Sequence, residues 1–176
     1  MLDKYKYTDK EIKDIVSSIV ILIDTREQNN SHILNWFNKK KIKYEKKKLD
    51  CGDYSFKMSK NEALNIDRDV YFTKNISIER KNGIDEIIGN FATERNRIED
   101  EFLRHKGKMI LLIEDEQFYD KLCNGEYRSN YNKKAALGTY HSFIERYNIY
   151  THFTNKEKSG HFILATFYYF LRNYLK

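Results

Sequence analysis

Two apolar runs without a polar break, IVILI at Ile19–Ile23 and MILLI at Met109–Ile113, constrain this chain more than any other feature. A strand with one wet face alternates apolar and polar residues, so an unbroken run must be covered on both faces. Central strands with helices on either side satisfy that demand, and 176 residues suffice for one compact α/β domain. Both runs end in acids: IDTRE carries Asp24 and Glu27, and IED carries Glu114 and Asp115. Open α/β sheets place their sites at the carboxyl ends of strands, which is where Asp24 falls.

A third stretch, ISIERKNGID from Ile76 to Asp85, reads as a short strand turning into a helix near Asp85. Strand side chains alternate, so Glu79 and Lys81 share one face while Ile76, Ile78 and Arg80 take the other. A carboxylate beside an ammonium at a strand end suits metal-assisted phosphodiester cleavage. The acid holds a divalent cation, and the amine steadies the attacking water. Upstream, LDCGDYSF (Leu49–Phe56) reads as a turn at Gly52 feeding a strand, with Asp53 and Ser55 on one face. Residues 57–69 form a polar excursion before a strand at Asp69–Thr73, and Lys74 and Asn75 turn the chain into Ile76. A hairpin of this kind brings Asp53 next to Glu79.

The remaining elements frame these three. Residues 1–18 read as a lead, with a helical piece over Thr8–Val16 capped by Thr8, ahead of a single domain over 19–176. A helix over Ser31–Lys40 turns Ile33, Leu34, Trp36 and Phe37 inward. KKKIKYEKKK (Lys39–Lys48) is the densest basic patch. Its lysines, Lys46, Lys47 and Lys48 among them, either contact phosphates or guard a solvated edge strand against aggregation. A long helix over Ile84–His105, ended by Gly107, carries Ile84, Ile88, Phe91, Ile98 and Phe102 as its buried stripe. Arg95 falls in that stripe, either meeting a phosphate or carboxylate in the cleft or snorkelling to the surface. A helix over Asn130–Tyr147, a strand over Asn148–Thr154 and a helix over Glu157–Leu175 close the chain. The last is apolar nearly all round, so it is expected in a homodimer interface with the preceding helix; deep insertion against the sheet is the alternative.

Composition narrows the partners. Lys and Arg outnumber Asp and Glu by 32 to 26, a net charge of +6 that fits a polyanion such as nucleic acid. The complete lack of proline, with the richness in lysine and tyrosine, also reads as coding bias. Cys51 and Cys123 have neither metal-ligand nor disulfide spacing, and the five histidines are scattered without a zinc pattern. With one short apolar run near the N-terminus, neither a signal peptide nor a spanning helix is expected. The expectation is a soluble intracellular protein, in the cytoplasm of a bacterium or phage host or in a eukaryotic nucleus.

IDTRE, GDYSF and ERKNGID, in this order and followed by a long helix and LLIE, resemble the nuclease domain of the XPF-type structure-specific endonucleases. That family is marked by Gly-Asp, a variable gap, Glu-Arg-Lys, three residues and Asp. Gly52 and Asp53, then Glu79, Arg80 and Lys81, then Asp85 fill every place. The resemblance implies a restriction-endonuclease-like fold, a mixed central sheet flanked by helices, cutting DNA with Mg²⁺ or Mn²⁺. It implies Asp24, Asp53 and Glu79 as metal ligands and Lys81 as the group orienting the nucleophilic water. Arg80 would contact phosphate or pair with Asp85, itself placed to stabilise a helix dipole. Arg26 and Glu27 match the pattern as supporting residues, and Arg95, Arg97 and Glu101 are the counterparts in the following helix, the two arginines as DNA contacts. That helix reads GNFATERNRIEDEF instead of the Arg-Phe and Gln pattern of eukaryotic members, and a stand-alone form without their tandem helix-hairpin-helix module is expected. The function implied is a metal-dependent endonuclease acting on branched or flapped DNA in repair, recombination or phage replication. The alternative is a non-catalytic DNA-binding or scaffold subunit.

Overall fold

The computed structural model describes residues 7–176. Helix α1 (Asp9–Ser17) opens with a capping box, in which Thr8 Oγ1 accepts from the Glu11 N–H and Glu11 returns a bond to the Thr8 N–H. Its Ile12, Ile15 and Val16 are buried in the same core as the central strands. Within the stretch expected as a lead, these three residues reach the core.

Strands β1 (Ile19–Ile23), β2 (Tyr44–Lys46), β3 (Tyr54–Met58), β4 (Val70–Tyr71), β5 (Ile76–Lys81), β6 (Lys108–Ile113) and β7 (Ile149–Phe153) form one sheet. Its order is β2-β1-β3-β5-β6-β7, with β4 beside β3. Pairing is parallel for β1 with β2, β5 with β6 and β6 with β7, and antiparallel where β3 meets β1, β4 and β5. The sheet is therefore mixed. β4 and β5 follow one another along the same edge of β3, Met58 pairing with Val70 and Tyr54 with Ile78. Together they are the return arm of the hairpin that the sequence implies.

The apolar runs are buried on both sides for a reason visible in β6. Ile110 and Leu112 enter one core, with α1, α2 (Ser31–Lys39) and α7 (Lys156–Tyr174). Met109, Leu111 and Ile113 enter the other, with α3 (Ile84–Thr93), α4 (Arg95–Arg104), α5 (Phe118–Asn124) and α6 (Lys133–Tyr147). β2 lies at the edge of the sheet with Lys46 exposed, the placement of a solvated edge strand.

Three elements differ from expectation. The long helix over 84–105 is two, broken at Glu94 (φ −127°, ψ 21°). Thr93 Oγ1 donates back to the Gly89 carbonyl, and Arg97 is drawn to the Glu94 carboxylate, so local bonds compete with helix continuation. The break takes Arg95 out of the buried stripe: it pairs with Glu99 at 3.1 Å and lies 5.8 Å from the Phe143 ring centroid. Helix α5 is additional, seven residues long, with Phe118 and Leu122 buried and Gly125 closing it at φ 76°. Helix α7 is inserted against the sheet and α2 within one chain. Ile163, Phe167 and Leu171 are fully buried, Phe167 lies 5.1 Å from Phe56, and a Cβ on Gly160 would stand 3.0 Å from the Trp36 ring. The fully buried residues form one stripe of α7, with Phe162, Leu164, Tyr168 and Phe170 partly buried beside it.

Candidate active site

The row of acids is built by backbone pairing that continues past the strand ends. The Asp24 N–H donates to the Asp53 carbonyl at 2.8 Å, and the Asp53 N–H donates to the Ile78 carbonyl at 2.9 Å. Gly52 sits at φ 74°, and a Cβ there would lie 2.9 Å from Ser77 Cβ and 3.1 Å from the Ile78 carbonyl oxygen. Only glycine lets β3 approach β5 this closely immediately before Asp53. Asp53 is then fixed by the Arg80 N–H, which donates to its Oδ2 at 2.8 Å.

On the neighbouring strand Glu79 and Lys81 share a face, and Lys81 Nζ donates to Glu79 Oε1 at 2.7 Å. Glu86, from the first turn of α3, lies 3.5 Å from the same ammonium. Burial pulls the Lys81 pKa down, but the charges of Glu79 and Glu86 outweigh it, so Lys81 stays protonated. It can donate hydrogen bonds and offset charge, and it holds no lone pair for taking a proton. Burial pushes the Glu79 carboxyl above its ordinary range, Lys81 draws it back, and Glu101 pushes it up again. Asp53 is raised well above the usual carboxylate range, by burial and then by the charges of Glu79 and Glu27. Two carboxylates thus repel across adjacent strands in a partly desolvated cleft.

That repulsion is what a divalent cation relieves. Two hard oxygen donors fit Mg²⁺ or Mn²⁺, since Mg²⁺ is commonly held by one or two carboxylates with water and phosphate oxygens completing the shell. Among the described residues no group of three or more His, Cys, Asp or Glu is arranged to hold a metal. The expected three-acid set is therefore not assembled, because Asp24 is otherwise engaged. Its Oδ1 accepts from the Arg26 N–H at 2.8 Å and Nε at 2.7 Å, and its Oδ2 accepts from the Leu49 N–H at 2.6 Å. Burial pushes its pKa up, and these bonds overcome it to leave the carboxyl below its ordinary value. Asp24 ties two loops together beside the Asp53–Glu79 pair.

Arg80 points to the opposite face and is buried. Its Nη2 lies 2.7 Å from Glu27 Oε1 and its Nη1 2.8 Å from Glu114 Oε2, while His32 Nε2 meets Glu114 Oε1 at 2.6 Å. Asp85, the partner the motif suggests, instead accepts from the Arg128 N–H at 2.8 Å and pairs with its guanidinium at 3.2 Å. Arg80 is a strut joining the carboxyl ends of β1, β5 and β6. The acid ending the second apolar run, Glu114, was the sequence signal for that bond; His32 carried none. Tyr54, another partner of Glu27 at 3.2 Å, is raised in pKa by burial and then by that charge.

The basic candidates divide. Arg97 pairs with Glu94 and lies 4.0 Å from Glu101, itself within 3.3 Å of the Gly52 N–H. Lys46, Lys47 and Lys48 are exposed and lead directly to Leu49, at the same end of the sheet as the acids. Cys51 beside them is inert, its thiol pushed up to about 12 by burial and by the charges of Glu101 and Glu79. Asp53 and Lys81 line a cleft of about 590 Å³ together with Arg26, Glu27, Arg80, Glu86 and Lys156; Glu79 lies behind its wall, bonded to Lys81.

The family model described as ERCC4 domain matches residues 23–166. No curated protein sequence matches the chain. Among solved structures the chain is similar to XPF from Aeropyrum pernix, with 14% identity and a TM-score of 0.58 over 84% of this chain and 63% of that one. XPF from Aeropyrum pernix in complex with DNA is similar over 83% of this chain and 62% of that one, with 14% identity and a TM-score of 0.55. At such identity the likeness is one of fold, and the chain spans under two thirds of the length of either match. Matched by the family model from Ile23 to Thr166, the chain belongs to the ERCC4 domain family and shares the fold of XPF from Aeropyrum pernix.

Proposed function

We propose that this chain is a metal-dependent endodeoxyribonuclease. The reading rests on the convergence of Asp53, Glu79 and Lys81 at one end of the sheet, two repelling carboxylates beside an ammonium that stays charged. Asp53 and Glu79 would hold Mg²⁺ or Mn²⁺. A bound divalent cation polarises a phosphoryl oxygen and generates a nucleophile from water near neutral pH. Lys81 donates hydrogen bonds to the attacking water or a phosphate oxygen and offsets the charge that builds at phosphorus. Asp24, locked to Arg26 and Leu49, keeps the loops at the cleft mouth in place, and the Glu27–Arg80–Glu114 strut holds the three strand ends in register. DNA as the substrate is supported by the basic net charge and by the similarity to an XPF solved with DNA. Branched or flapped DNA in repair, recombination or phage replication is the substrate class this family reading favours. The scaffold alternative is disfavoured by the intact Asp53, Glu79 and Lys81. Labelled DNA should be nicked when Mg²⁺ or Mn²⁺ is added and stay whole in a chelator; no cleavage with either ion on duplex, flap, fork or four-way substrates would contradict the reading.

We also propose that the chain pairs with a second copy through its C-terminal region. With α7 already seated on the sheet, the support is narrower than an all-round apolar helix suggests. Tyr150, Tyr169 and Tyr174 are exposed around an open groove of about 670 Å³ between β7 and α7. Light scattering at micromolar concentration should give twice the chain mass, and a monomer mass would remove the proposal. Among the described residues no helix is long and apolar enough to cross a membrane, and action on DNA in the cytoplasm or nucleus is part of the proposal.

A further inference from the structure

Three basic residues other than Lys156 line the cleft, and each is already matched by carboxylates. Arg26 is held by Asp24, Arg80 by Glu27 and Glu114, and Lys81 by Glu79 and Glu86. The fourth is different. Lys156 is the first residue of α7, exposed on the cleft wall, and among the described residues it has no ion-pair partner. Glu116, beside the start of α7, accepts from the Asn155 amide at 3.2 Å and from Lys158 at 3.4 Å. Asn155 also caps α7 by accepting from the Lys158 N–H, which fixes where the helix begins and so where Lys156 is presented. An unpaired ammonium across a cleft of acids can meet a phosphate without first giving up a carboxylate, and it is the only one of the four in that position.

We infer that Lys156 binds a backbone phosphate of the DNA strand lying in the cleft, next to the one being cut, and sets the register of the strand on Asp53 and Glu79. The inference rests on the nuclease reading for its substrate, and its contact is with the phosphate alone, so it serves any base sequence. It binds substrate in the ground state and the transition state alike, which sets KM and leaves kcat alone.

The test is anisotropy of a fluorescently labelled DNA duplex titrated with protein over rising salt in a chelator, where no cleavage is needed. Lys156→Ala should raise Kd about three- to tenfold and lower the slope of log K against log salt by about 0.9, the loss of one phosphate contact. Lys156→Arg should restore both, and Lys158→Ala, whose partner is Glu116, should match wild type. With Mg²⁺ added, Lys156→Ala should raise KM and leave kcat within about twofold. Equal Kd and slope for Lys156→Ala and wild type, or equal losses from Lys158→Ala, overturns the inference and leaves the nuclease reading intact. Wild-type protein that binds the duplex through Lys156 but never cuts would overturn the nuclease reading and keep the contact. Wild-type protein that binds no DNA would remove both.

Discussion

Replacing Asp53 by Asn, or Glu79 by Gln, should lower DNA cleavage by about 10³-fold or more while Kd for DNA in a chelator stays within about twofold. Lewis-acid stabilisation is worth several kcal/mol and each 1.36 kcal/mol is tenfold in rate. The two variants part company in stability, which makes the pair informative. Asp53 has a carboxyl raised well above its ordinary value by burial and by Glu79 and Glu27. A raised acid pKa means the folded state binds its proton more tightly than the unfolded chain does. Stability is therefore lost as pH climbs from the ordinary carboxylate range through the folded value, and at neutral pH the charged form opposes folding. Asparagine removes the charge and still accepts from the Arg80 N–H, so metal-free Asp53→Asn should melt a few degrees higher, at about 2–4 °C per kcal/mol for a chain this size. Glu79→Gln instead leaves the buried Lys81 with only Glu86, and should melt lower. Cleavage retained by Asp53→Asn, or a lower melting temperature for it, would contradict this account.

The largest stability effect belongs to Arg80→Met. Arg80 is 6% exposed and bridges two buried carboxylates, Glu27 on one side and Glu114 on the other. Truncating it leaves both acids desolvated and facing each other, and breaking a buried pair from one side costs about 3–5 kcal/mol. His32 offers Glu114 some relief, and Tyr54 and Asn30 continue the bonding beyond Glu27, so the loss concentrates on Glu27. Urea unfolding should show a midpoint shift of that size, and Arg80→Lys should recover only part, because one ammonium lacks the fork that spans both acids. Adding Glu27→Gln to Arg80→Met should regain stability by removing one uncompensated charge. A midpoint unchanged in Arg80→Met would show that the strut carries little of the fold.

What was legible in the sequence follows from periods of two. The alternation in ERK put Glu79 and Lys81 on one face and Arg80 on the other, as found, and the unbroken MILLI run was resolved by odd and even residues entering separate cores. What was not legible depends on contacts distant in the chain or on local competition. Arg80 meets groups 53 and 34 residues away, which no motif spacing encodes. The break at Glu94 turns on one threonine hydroxyl bonding back to Gly89, which leaves the apolar stripe intact on paper. Helix α5 has too few turns to establish a period. The all-round apolar character of α7 implies burial on several sides, whereas its fully buried residues form one stripe against the sheet and α2, and periodicity does not say what covers the rest. Asp24 was found at its strand end, and only the coordinates give its side chain to Arg26 and Leu49.

The central claim is that Asp53 and Glu79 share one divalent cation at the end of β3 and β5. Anomalous diffraction from crystals soaked in Mn²⁺ tests it without relying on turnover. The account predicts a peak within coordination distance of both carboxylates, about 2.0–2.2 Å for an ion of this kind, and its disappearance in Asp53→Asn. No peak there with DNA bound, or a peak on the Asp24 carboxylate away from Glu79, would contradict it.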